Sequence, residues 1–211
     1  MDTVFTQFSG GIDRFGLVTE QALGTARSVR EAIPIFYPGW HIAEISVTGP
    51  NDVLATLSFL VNDQSVIPIL GASTPIHKLN EKGALSLTNE GSVASYLRFF
   101  CNAVRADEGP FRIIENVAQI PLLEACSEIN DREIARLIPQ IEITKQEGDA
   151  WTTKALINYC NGLFLAHFKI QASGMIEMVG DELVMDLKNV KRERIVSGLR
   201  FFDGVFEDES S

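Results

Sequence analysis

The sequence predicts an α+β protein made by internal duplication: two similar units, each a helix, an antiparallel β-meander and a closing aromatic helix. Three observations carry this. Short stretches of alternating or purely apolar residues recur between turn residues, as strands require. Two longer stretches place apolar residues at helical spacing. The two halves also share residues at a near-constant offset, the mark of a repeat. With 211 residues, 45% hydrophobic and 22% charged, the chain can bury a core as one large domain or two small ones.

The elements follow in order. Residues 19–33 carry Ala22, Leu23, Ala26, Val29 and Ile33 along one helical face, and Pro34 stops the helix. Residues 42–47 alternate apolar and polar, which is strand spacing. Residues 54–61 and 66–70 are further strands, separated by Asn62-Asp63-Gln64-Ser65. Residues 92–105 form an aromatic helix, whose Val93, Tyr96, Leu97, Phe99, Phe100, Cys101 and Val104 cover more than one face. Ser95, Arg98, Asn102 and Arg105 are left as its polar stripe. Asn130 with Glu133 starts another helix before Ile134, Leu137 and Ile138. Residues 151–160 and 163–170 flank Asn161-Gly162, the strongest hairpin signal in the chain. Ser173-Gly174 and Gly180-Asp181 punctuate two more runs, at 175–179 and 183–187.

The repeat is collinear. Ala72, Ser73, Ile76, Leu87 and Asn89 match Ala172, Ser173, Ile176, Leu187 and Asn189 at an offset of 100. After a two-residue insertion, Leu97-Arg98-Phe99-Phe100 matches Leu199-Arg200-Phe201-Phe202. The units then span 19–105 and 117–206. An N-terminal extension covers 1–18, an acidic connector 106–116 and an acidic tail 207–211. This layout resembles the α+β fold of the secretion chaperones, a likeness of fold alone.

Charge excludes some functions. Lys and Arg number 18 against 28 Asp and Glu, a net −10, so no broad surface for nucleic acid or an anionic membrane is expected. The basic run Lys188, Lys191, Arg192, Arg194 and Arg200 is expected as a solvated helix face. No apolar run is long enough to span a membrane. Three cysteines without a CxxC pair or a secretory leader imply reduced thiols in the cytoplasm. His41, His77 and His167 stand apart, without metal-ligand spacing, so neither a metal nor a cofactor is expected.

Two sites compete. Gly71-Ala72-Ser73-Thr74-Pro75-Ile76-His77 places a serine and a histidine near a strand end, as a hydrolytic nucleophile and its base require. Pro75 breaks the G-x-S-x-G pattern, and the same residues serve as a helix start, with Thr74 as cap and Pro75 at the first helical position. The duplication instead puts His77 on a strand, where the second unit has Glu177. The other site is Pro34-Ile35-Phe36-Tyr37-Pro38-Gly39-Trp40-His41, irregular yet rich in aromatics. Phe36, Tyr37 and Trp40 there either plug the core or face a partner, and Arg98 on the polar stripe joins them as a binding candidate. The favoured function is a non-enzymatic binding or interaction protein, chaperone-like or regulatory. Its expected partner is another protein or a hydrophobic ligand, with a homodimer as a further expectation. The alternative is a hydrolase centred on Ser73 and His77.

Overall fold

Regular alternation becomes strand pairing in the first half of the chain. The computed structural model describes residues 26–48, 54–107, 109–120, 136, 138, 141–145, 148–187, 191–196 and 199–205. Strands β1 (Ala26–Ala32), β2 (His41–Thr48), β3 (Leu54–Asn62) and β4 (Ser65–Ile69) pair antiparallel in succession. The pleat turns Ala43 and Ile45 of β2 and Ala55, Leu57 and Phe59 of β3 inward, all buried. Two helices follow among the described residues, α1 (Thr74–Glu81) and α2 (Glu90–Ala103). A reciprocal cap starts α2: Asn89 Oδ1 accepts from the Ser92 amide at 3.0 Å, and the Asn89 amide donates to Ser92 Oγ at 3.1 Å.

Short strands β5 (Arg105–Ala106) and β6 (Gly109–Pro110) pair with each other. The second large sheet holds β7 (Arg112–Ile113), β8 (Glu142–Lys145), β9 (Trp151–Tyr159), β10 (Gly162–Ile170) and β11 (Ile176–Asp186). Its order is β11-β10-β9-β7, with β8 on the same edge of β9 as β7. The hairpin β12 (Lys191–Val196) and β13 (Leu199–Val205) returns to the first sheet, where Arg200 and Phe201 pair with Thr56 and Ala55 of β3. Val93, Tyr96, Leu97 and Cys101 of α2 share one core with Leu60 and Ile69 of the first sheet and Ala155, Ile157, Ala166 and Phe168 of the second.

This architecture overturns the duplicated α+β prediction. Among the described residues the protein is mostly β, with three sheets and no helix–meander–helix units. Leu97–Phe100 lie in a helix, whereas the matching tetrapeptide Leu199–Phe202 lies in a strand. Ser73 stands at the N-cap of α1, whereas Ser173 lies in the turn between β10 and β11. A shared tetrapeptide cannot fix its own structure; the capped helix secures one copy and the open edge of β3 recruits the other. The basic run is corrected in the same way, since Lys191, Arg192, Arg194 and Arg200 lie on β12 and β13.

Residues 26–32 are a strand and not the end of a helix. Val29 pairs with Ile45, and Arg30 reaches Glu44 at 2.6 Å, so an available sheet edge overrides a helical apolar pattern. Residues 19–25 and the helix start at Asn130 lie outside the described residues. Gly180-Asp181 does not interrupt β11, because β10 offers a continuous partner and two bulges, at Val179 and Val184, absorb the extra residues. The β9–β10 hairpin forms one residue earlier than expected: Tyr159 pairs with Gly162, and Cys160 carries the positive φ of 51°. Asn158, buried, holds this turn by donating to the Cys160 and Gly162 carbonyls at 3.1 and 3.0 Å.

One buried acid joins the sheets. Glu193 of β12, 3% exposed at its side chain, pairs with Arg105 of β5, Arg112 of β7 at 2.8 Å and Arg200 of β13 at 3.1 Å. Burial lowers the Arg105 and Arg112 pKa values while Glu193 opposes the shift, so the carboxylate is what keeps these cations tolerable inside. Replacing Glu193 by Gln removes the carboxylate that three largely buried arginines share and is expected to cost about 3–5 kcal/mol. Arg30→Ala, which breaks an exposed pair, should cost no more than about 1 kcal/mol. Urea unfolding of both variants beside the parent checks the difference.

Candidate functional site

One side of α2 forms a wall of a groove of about 470 Å³. Glu90, Gly91, Ala94 and Arg98 line it from the helix, falling on one face by their spacing. Ile138, Ile141 and Ile143 form the opposite, aliphatic wall. Ile141, just before β8, and Ile143, on it, are half-buried, whereas Glu142 and Thr144 of the strand are exposed, the alternation of a pleat.

At one end a fixed ion pair closes the lining. Arg98 Nε and Nη2 donate to Glu115 Oε2 and Oε1 at 2.7 and 2.6 Å, a bidentate fork. Hydrogen bonding to Glu115 raises the Arg98 pKa, against a smaller effect of burial. Glu115 is itself held in place: its amide and that of Asn116 donate to Gln119 Oε1 at 2.6 and 3.1 Å. The groove therefore presents an apolar wall and charges whose positions are set in advance.

Of the residues singled out in the sequence, Arg98 lines this groove. Phe36 and Tyr37 are buried in the core, and Trp40 packs half-buried against it. Turns bring the aromatics in: the Tyr37 amide donates to Pro34 O and the Trp40 amide to Tyr37 O. The Phe36 ring stands edge-on to Tyr37 and Tyr96 at 4.9 and 5.4 Å. The Tyr37 hydroxyl donates to Asn80 Oδ1 at 2.6 Å, Asn80 Nδ2 to Tyr96 Oη at 3.0 Å, and the Tyr96 hydroxyl to Gly174 O at 2.7 Å. Gly174 is required there twice over. Its φ is +80°, and a Cβ would fall against the Asn80 amide, Leu85 and Tyr96 Oη.

Ser73 and His77 occupy one turn of α1, where the His77 amide donates to Ser73 O at 3.0 Å. His77 is on a helix and not on the strand that the duplication implied. Its ring centroid lies 5.7 Å from that of Phe100. Among the described residues no hydrogen bond joins the Ser73 hydroxyl to His77, and no carboxylate pairs with this histidine. No group of three or more potential metal ligands occurs among the described residues.

Sequence reasoning missed Glu90, Glu115 and the three isoleucines as lining. The alternation Ile141-Glu142-Ile143 was a usable strand signal. The pairing of Arg98 with a glutamate 17 residues away had none.

Burial raises the pKa of both relay tyrosines, that of Tyr96 to about 12 despite the Asn80 hydrogen bond; the Tyr37 phenol is raised further, with Tyr96 beside it. Both keep their protons in the fold. The Tyr96 contribution is complete below the ordinary value near 10 and is lost as pH rises through about 12. Tyrosinate absorbance, taken as the difference between the parent and Tyr96→Phe, should appear near pH 12 in folded protein and near 10 in urea. Tyr96→Phe leaves the Gly174 carbonyl without this donor and should cost about 1–3 kcal/mol in urea unfolding. Comparison with known proteins matches no family model, no curated protein and no solved structure.

Proposed function

We propose that this protein is a non-enzymatic binding protein, chaperone-like or regulatory, which acts in the cytoplasm and holds another protein or an apolar ligand in the groove beside α2. The observation that carries the reading is the groove itself, with three isoleucines facing a helix wall that ends in the rigid Arg98–Glu115 pair. Its size falls within the roughly 300–1,000 Å³ usual for ligand sites. The aliphatic wall supplies affinity, and the fixed charges supply orientation. No helix among the described residues is long and apolar enough to cross a membrane.

Titration with the neutral apolar dye Nile red tests this. The parent should bind it, and Ala94→Trp, which fills the groove, or Ile141→Glu, which charges its wall, should weaken binding about tenfold or more. Ser73→Ala should bind like the parent, and neither should hydrolyse p-nitrophenyl acetate faster than buffer. Circular dichroism confirms that each variant folds. Dye binding indifferent to both groove variants would overturn the proposal, and esterase activity lost in Ser73→Ala would establish the hydrolase in its place. Dye binding confined to a dimer, seen by light scattering, would move the site to an interface between copies and overturn the groove as well.

A further inference from the structure

We infer that the occupant of the groove is an extended cationic peptide segment with apolar residues at alternate positions, an inference that rests on the groove being a binding site. Three independent features of the site favour this ligand over an apolar anion or a plain hydrocarbon.

The first is charge. Two carboxylates, Glu90 and Glu115, line the groove against one cation, Arg98. Arg98 commits both Nε and Nη2 to Glu115, so it has little left to offer an anionic ligand. Glu90 is exposed and has no ion-pair partner among the described residues. The N-terminal dipole of α2 would otherwise favour an anion, but Glu90 in its first turn offsets that field. The Asn89–Ser92 cap also occupies amides that an anion would use. A lysine or arginine beside Glu90 would meet an uncompensated carboxylate, and the net −10 of the chain steers cations towards it.

The second is the wall. Ile143 lies on β8 and Ile141 immediately precedes the strand, two positions away, and both line the groove. An extended segment laid along them repeats with the same period of about 6.8 Å, so its own alternate residues can pack on the isoleucines. The third is the edge. Strand β8 pairs only with β9 among the described residues, leaving the backbone N–H and C=O groups of its other edge without a ladder partner there. Such an edge accepts an added strand, whose main chain then supplies affinity while its side chains supply selectivity.

Fluorescence anisotropy with short labelled peptides tests the inference. A peptide alternating leucine and lysine should bind, and Glu90→Gln should weaken it severalfold, with Glu90→Lys weakening it further, to about tenfold or more. The double variant Glu177→Lys and Glu182→Lys, which changes charge on β11 away from the groove, should bind within about twofold of the parent. A leucine–glutamate peptide should not bind, and a serine–lysine peptide should bind far more weakly. Equal binding of the leucine–glutamate peptide, or indifference to both Glu90 variants, overturns the cationic ligand while leaving the groove standing if Ile141→Glu still abolishes dye and peptide binding. Equal binding of the serine–lysine peptide, or a loss in the β11 variant matching that at Glu90, shows general charge attraction and overturns it too. Tight binding by a backbone N-methylated leucine–lysine peptide overturns the strand addition. If Ile141→Glu changes neither dye nor peptide binding, the groove reading itself falls.

Discussion

The Tyr96 phenol stands where four separate stretches meet: the loop at 34–40, α1 through Asn80, its own helix α2, and the β10–β11 turn at Gly174. A buried hydroxyl must find a partner or cost the fold free energy, and this one has two. Because its donor ends on a backbone carbonyl, the ring can keep its place only if that turn keeps its own. The aromatic loop is held by the same constraint. Phe36 and Tyr37 pack edge-on around this point, so a segment with two prolines and a glycine is pinned to the core through these two rings. The relay and the packing reinforce each other, since the low dielectric that the rings create strengthens the hydrogen bonds within it.

Fixing α2 on its inner side makes its outer side a rigid wall. Val93, Tyr96, Leu97 and Cys101 are buried in the core, and Ala94, itself buried, lines the groove with exposed Glu90 and Gly91 and half-buried Arg98. A binding surface on an anchored helix loses little entropy when it is filled, so more of the contact energy appears as affinity. The Gln119 side chain holds the backbone at Glu115 by accepting from its amide, and the bidentate fork with Arg98 sets the direction of the carboxylate.

What could be read from the sequence was local. The strands at 41–48, 54–62, 65–69, 151–159 and 162–170 announce themselves through alternation or short apolar runs, and α2 through its helical spacing. The errors came where distant residues decide. Residues 26–32 have a helical apolar pattern, yet β2 captures them. Leu199–Phe202 copies a helical tetrapeptide, yet β3 draws it into a sheet 142 residues away, with Arg200 reaching Ser58. The repeat was an accident of similar patterning because neither pairing leaves a trace in nearby residues. Arg98 was visible as part of a polar stripe. Its glutamate partner and its aliphatic opposite wall come from other segments, so the groove became legible only once they were folded together.

The Glu193 cluster has a consequence for synthesis. A ribosome releases the chain from the N-terminus, so Arg105 and Arg112 emerge long before the acid that neutralises them. Until β12 and β13 follow, Ala55 and Thr56 also lack their partners on β13. The first sheet can therefore be assembled strand by strand during translation but cannot be locked. Its completion waits for the last described strands, and a nascent chain halted before them would expose an open sheet edge next to buried positive charge, the kind of surface that cellular quality control recognises.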